Sequence, residues 1–192
     1  MANHQTPAVR RAQILKAAQA CFSRTGFHKT KMDDIVEASG LSKGALYWHF
    51  KGKDEIFLAL FDQFDREIFS AWDDLSEADA LETLRIESEI VLSALLGDRS
   101  LVEMWNEFLK HPLARERFAV LYEHSRARLG ATIENGIARG EITACDAQHA
   151  AAMLTAVIEG LLLQALTDAS FNPLDAWPTT WKILSRGMTP NE

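Results

Sequence analysis

Tyr47, Trp48, His49 and Phe50 are consecutive, and Ser42, Lys43, Gly44 and Ala45 stand just before them. Rings with polar tips, a long cation and two residues with almost no side chain form a set that can fill a groove, donate to anionic oxygens and let a backbone approach another surface closely. HExxH, ExxH pairs, GxSxG, glycine-rich phosphate loops and paired His/Cys ligands give no match that survives placement on secondary structure. Glu103 and Glu107 stand four apart without an ExxH partner and read as a solvated face. The expectation is therefore no catalytic residues, no metal, no cofactor and no enzyme.

Charge is distributed unevenly. The chain of 192 residues has a net charge of −7. Residues 1–53 nevertheless hold nine Lys/Arg against three acids, and the rest is strongly acidic. A basic head on an acidic body is the pattern of a protein whose head alone meets a polyanion. Cys21 and Cys145 have no CxxC partner and read as two buried thiols in a reducing cytoplasm. The N-terminus lacks the uninterrupted apolar segment of a signal peptide. The run from Ala150 to Leu166 is apolar, but Glu159 stands within it, so the expectation is a helix largely enclosed by protein and no membrane partner.

The elements that must position the aromatic cluster are helices. Ile14, Ala17, Ala18, Cys21 and Phe22 repeat at helical spacing, from Pro7 to a stop at Thr25-Gly26. Thr30 opens a short second helix as its expected cap, ending at Ser39-Gly40, and Ser42 caps a third. Phe57, Phe61, Phe64, Ile68, Trp72 and Leu75 define a long fourth. Beyond it the pattern predicts helices over residues 81–96, 100–110 and 113–138, another capped by Asp146, and a last one broken or restarted at Pro178. The fold class is all-α with about nine helices, divided into residues 1–52 and 53–192.

Three short helices with Gly40 at the tight turn match a helix-turn-helix head, with Leu41 plugging the space between the second and third. Projected at 100° per residue, Leu46 and Phe50 share the buried side of the third helix, while Gly44 and Trp48 point away. An outward tryptophan gains nothing from water. A DNA major groove accounts for it: Gly44 and Ala45 admit the backbone to base edges, and Lys43 reaches guanine or phosphate. Tyr47 and His49 reach phosphates, and Trp48 packs on sugar or a thymine methyl. Lys53, at the start of the fourth helix, suits a phosphate, and Thr30 and Lys31 could grip the backbone on the other side.

The segment GFHKTKMDDIVEASGLSKGALYWHFKGKDEIFLALF resembles the N-terminal domain of the TetR family of regulators, over about residues 7–62 and most specifically at Gly40, Ser42, Gly44, Leu46, Tyr47, His49, Phe50 and Lys53. The resemblance implies that Lys43, Gly44, Ala45 and Tyr47 meet bases and that Thr30, Tyr47, His49 and Lys53 hold phosphates. Lys31 stands where a second Thr is common and Asp33 where an Arg sometimes reads a base, so little direct readout is expected from the second helix. The resemblance also implies a ligand cavity within helices four to seven and a dimer interface on the last two.

The residues of the body allow both. Phe69, Trp72, Met104, Trp105, Phe108 and Tyr122 suit an apolar or aromatic small molecule, and each also suits a plain core. Glu159 needs an Arg, a His or a cationic ligand as partner. Leu154, Ile158, Leu161, Leu162 and Ala165, with Trp177 and Trp181, exceed what one bundle position needs, and a homodimer would bury the excess. The reading is a cytoplasmic dimeric repressor of a near-palindromic operator, released by a small-molecule effector; the alternative is a ligand-independent DNA-binding or partner-recruiting factor of the same fold.

Overall fold

A computed structural model describes residues 6–73, 79–96, 104 and 111–190. Its described residues form eight α-helices: α1 (Pro7–Thr25), α2 (Met32–Ser39), α3 (Lys43–His49), α4 (Lys53–Asp73), α5 (Ala80–Leu96), α6 (Arg115–Ala138), α7 (Ala147–Thr167) and α8 (Pro173–Met188), with a single 3-10 turn at Pro112–Ala114. The helix expected over 100–110, with Trp105, Phe108, Glu103 and Glu107, and the end of the fourth helix at Leu75 lie outside the described residues.

Contacts divide the chain into two compact units, Met1–Glu67 with Glu103–Ala114, and Ile68–Val102 with Arg115–Glu192. The division falls inside α4, whose first part belongs with the head, because Ile56, Phe57, Leu60 and Phe61 complete the head's core. That core also contains Ile14, Ala18, Phe22, Ile35, Leu46 and Phe50, all buried. In α1 the side chain of Thr6 accepts from Val9 N–H and Pro7 opens the first turn. Gly40 ends α2 at φ 66°, a left-handed backbone that a side chain would strain.

In the second unit α6 packs along α7, and α5 packs on α6, α7 and α8. Their shared core is Ala80, Leu84, Leu129, Ile133, Ile142, Ala147, Ala151, Leu154 and Met188. Gly136 lets α6 come close, since a Cβ there would stand 2.6 Å from that of Ala80. Asp146 caps α7 by accepting from His149 N–H at 3.0 Å, as its position predicts.

Three local expectations need correction. The α2 cap is Lys31: its N–H donates to the Asp34 carboxylate at 2.7 Å, so the first turn is closed from inside by an acid rather than by Thr30. Pro178 does not break α8. Trp177 is buried, donating its indole N–H to Glu89 at 3.1 Å, and Trp181 and Leu184 pack against the core. Together they offset the roughly 3 kcal/mol that an internal proline costs. Cys145 is exposed rather than buried, because it sits in the turn before the α7 cap; Cys21 is buried as expected.

Candidate nucleic-acid interface

The head presents α3 as the projection requires. Ser42 caps the helix, its hydroxyl accepting from Ala45 N–H at 3.2 Å. Leu46 and Phe50 anchor the inner side, and the Arg11 guanidinium lies over the Phe50 ring at 5.0 Å. Outward, Trp48 is 72% and Tyr47 42% exposed. Gly44 is also exposed, and a Cβ there would meet no protein atom within 4 Å. Nothing among the described residues therefore requires the glycine. Trp48 touches His49 edge-on at 4.6 Å between centroids, which orients the half-buried imidazole beside an exposed indole. Lys31 is exposed at the start of α2, and Ala45 is half-buried.

Two expected phosphate ligands are engaged elsewhere. Thr30 is 1% exposed. Its hydroxyl lies 2.8 Å from Gly26 O and 2.8 Å from the Thr25 hydroxyl, and its N–H donates to Gly26 O. It closes the α1–α2 turn from a buried position. The Lys53 ammonium donates to three carbonyls, Phe27 O at 2.8 Å, His28 O at 3.1 Å and Thr30 O at 3.2 Å, and lies 4.5 Å from the Phe27 ring centroid. Its three protons are thus used in tying α4 to the same turn. The spacing of Lys53 correctly placed it at a helix start but could not show carbonyls brought there from 23 to 26 residues away.

Sequence reasoning missed the partner of Lys43. Its ammonium lies 2.8 Å from Asp33 Oδ1 of α2, with both side chains largely exposed. His111 was missed as well: it stands 3.2 Å from Asp54 and edge-on to Phe27. The lone sign of either pairing in the sequence is complementary charge, which without the fold has many solutions.

In the second unit Phe69 packs edge-on against Trp72, whose indole N–H donates to Glu87 O at 3.0 Å. Glu87 is fully buried, which pushes its carboxyl pKa up. Arg128 donates to Glu87 Oε1 at 2.9 Å and to Trp72 O at 3.0 Å, while Glu87 Oε2 is buried with no hydrogen-bond partner among the described residues. Glu159 finds neither Arg nor His among its resolved partners: the Tyr122 hydroxyl donates to its carboxylate, and burial raises the pKa of both. Phe118 lies 5.9 Å from Tyr122. Met104 is buried in the first unit, and Trp105 and Phe108 lie outside the described residues.

The expected dimer residues are also redistributed. Leu154, Ile158, Leu161, Leu162 and Trp177 are buried inside the unit, since they are the face that α7 and α8 turn to their own bundle. Ala165 and Trp181 are half-buried. The large apolar side chains of α7 and α8 that remain outside are Met153, Leu163 (58% exposed), Leu174 and Ile183 (68%). α7 is thus not enclosed on all sides, although it is long and apolar enough by composition to cross a membrane. A groove of about 610 Å³ lined by Cys145, His149, Met153, Ile183, Leu184 and Met188 lies on this face.

Comparison with known proteins identifies the assembly of head and body. Residues 14–60 match the family described as bacterial regulatory proteins, tetR family. Residues 92–178 match the BetI-type transcriptional repressor C-terminal family. The HTH-type transcriptional regulator TtgR of Pseudomonas putida is 30% identical over 171 residues, 79% of this chain and 78% of that one. The chain belongs to the TetR family of transcriptional regulators. This TetR-family protein is therefore a helix-turn-helix DNA-binding regulator, a class that is not enzymatic. A transcriptional regulator from Saccharomonospora viridis in complex with choline is 25% identical, with a TM-score of 0.82 over 96% of this chain and 100% of that one. A TetR regulator from Haloarcula marismortui shares the fold at 20% identity, with a TM-score of 0.87 over 95% and 100% of the two chains.

Proposed function

We propose that this regulator is a cytoplasmic homodimeric repressor that inserts α3 into the major groove of a near-palindromic operator and leaves it when a small effector binds. The observation that carries the DNA contact is the outward face of α3. A 72%-exposed Trp48 beside Tyr47, with open space over Gly44, is more apolar surface than bracing His49 requires. Lys43, Gly44, Ala45 and Tyr47 face bases in this reading, with Ser42, Tyr47, Trp48, His49 and Lys31 along the backbone. Two heads on a two-fold axis would address half-sites about one helical turn apart.

The effector is an apolar or aromatic molecule carrying a cationic group. Glu159 is a half-buried carboxylate whose resolved hydrogen bond comes from the Tyr122 hydroxyl, with Phe118 beside that ring. A hydroxyl leaves the charge uncancelled, and a ligand ammonium over aromatic faces would cancel it. The choline bound by the Saccharomonospora regulator has this chemistry. α4 lends residues to both compact units, which makes it the natural route from effector to head. The effector displaces DNA to the extent that it binds the DNA-free form better.

Fluorescence anisotropy with DNA from around the protein's own gene tests the reading. Wild type binds with a steep salt dependence, and Tyr47→Ala weakens binding on the order of tenfold or more. Ammonium compounds that raise the melting temperature also lower DNA affinity in wild type, and neither effect survives in Glu159→Gln. Binding that is indifferent to Tyr47→Ala and to salt overturns the DNA contact. Hits that act equally on Glu159→Gln overturn the effector site.

A further inference from the structure

Asp33 suits the positive end of α2 but not a polyanion. It is the second residue of α2, one of three acids against nine Lys/Arg in residues 1–53, and it holds the Lys43 ammonium at the first turn of α3. Both side chains are largely exposed, and an exposed pair of this kind adds little to folding. Its consequence appears when the head closes on a duplex, an argument that rests on α3 entering the major groove. A carboxylate pressed against DNA loses its water and is repelled by phosphate. It is tolerated only where it accepts a hydrogen bond. The major groove offers two such donors, the amino groups of cytosine N4 and adenine N6.

Against the expectation of little readout from the second helix, we propose that Asp33 is a specificity-determining residue and that the Asp33–Lys43 pair reads one G·C base pair in each half-site. The arrangement matches the edge of that base pair. Cytosine N4 and guanine O6 lie side by side in the groove, one a donor and the other an acceptor, with guanine N7 next to O6. Cytosine N4–H donates to the Asp33 carboxylate, and the Lys43 ammonium donates to guanine O6 and N7. At 2.8 Å apart, the two side chains are already spaced like adjacent hydrogen-bonding groups. A·T pairs also offer a donor beside an acceptor, but adenine gives the lysine N7 alone where guanine gives it O6 and N7 together, so the G·C edge holds Lys43 better. Asp33 thereby penalises every site without the cytosine, phosphate-only contacts included.

Selection from a randomised duplex library with the full-length protein tests this, with wild type, Asp33→Ala, Asp33→Asn and Lys43→Met in parallel. Circular dichroism confirms that each exposed substitution leaves the helices intact. Wild type selects a motif with one fixed cytosine–guanine position per half-site. Asp33→Ala relaxes that position on the order of 10- to 100-fold while the others hold. It also binds unselected DNA more tightly, with a salt slope steeper by about one contact per half-site, because Lys43 is released to phosphate. Asp33→Asn shifts the position from cytosine toward adenine, whose N6 and N7 suit an amide, a change no purely structural role would produce. A motif unchanged in Asp33→Ala and Asp33→Asn overturns the proposal. A wild type that selects no motif overturns the DNA reading on which it rests.

Discussion

Gly44 separates what the fold needs from what the function needs. Its backbone is ordinary helix, and a Cβ would meet nothing within 4 Å, so Gly44→Ala is free to stabilise α3 by about 0.5 kcal/mol. The same methyl stands where the duplex is expected to press. The expected result is a melting temperature unchanged or slightly raised, with operator affinity reduced on the order of tenfold, measured by thermal unfolding and anisotropy on one preparation. A loss of both together would place Gly44 in the core instead. Trp48 belongs to the same scale. Its edge contact with His49 shows one ring bracing another from outside, so the indole is both an exposed surface and a support for the imidazole.

At the scale of elements, α1, α2, α3 and the first part of α4 form a unit whose helices were legible in the sequence because apolar spacing, Gly40 and Ser42 all agree on where each begins and ends. Thr30 and Lys53 were not legible, because their partners are backbone carbonyls, which every sequence supplies everywhere. The fold makes Lys53 a staple between α4 and the α1–α2 turn, and this separates two outcomes. Lys53→Met leaves the carbonyls of Phe27, His28 and Thr30 without their charged donor and is expected to cost about 1.5–3 kcal/mol of stability. Faster amide exchange in the α1–α2 turn should accompany the loss. Were Lys53 a phosphate ligand instead, the variant would melt normally and fail only on DNA. Pro178 shows the opposite error, a strong local breaker overruled by the packing of Trp177 and Trp181.

At the scale of the molecule, the basic head and acidic body were visible as charge, and the surplus of apolar residues on the last two helices was visible as composition. Composition could not assign those residues to faces. Leu154, Ile158, Leu161 and Leu162 are buried in the bundle, leaving Met153, Leu163, Leu174 and Ile183 outside. An outward stripe of this kind is what a second copy would cover, and two-fold pairing of α7 and α8 into a four-helix bundle does so with the same residues from each chain. Leu163→Glu with Ile183→Glu is therefore expected to give a folded monomer by sedimentation, with little change in helix content. Operator affinity should fall steeply in the same variant, since each half-site is then bound without the benefit of its neighbour. Leu154→Ala is the contrasting change: it opens a cavity in the bundle and should cost about 2–5 kcal/mol of stability whatever the oligomeric state. If the double charge variant still sediments as a dimer, the interface lies elsewhere and the exposed stripe serves another partner.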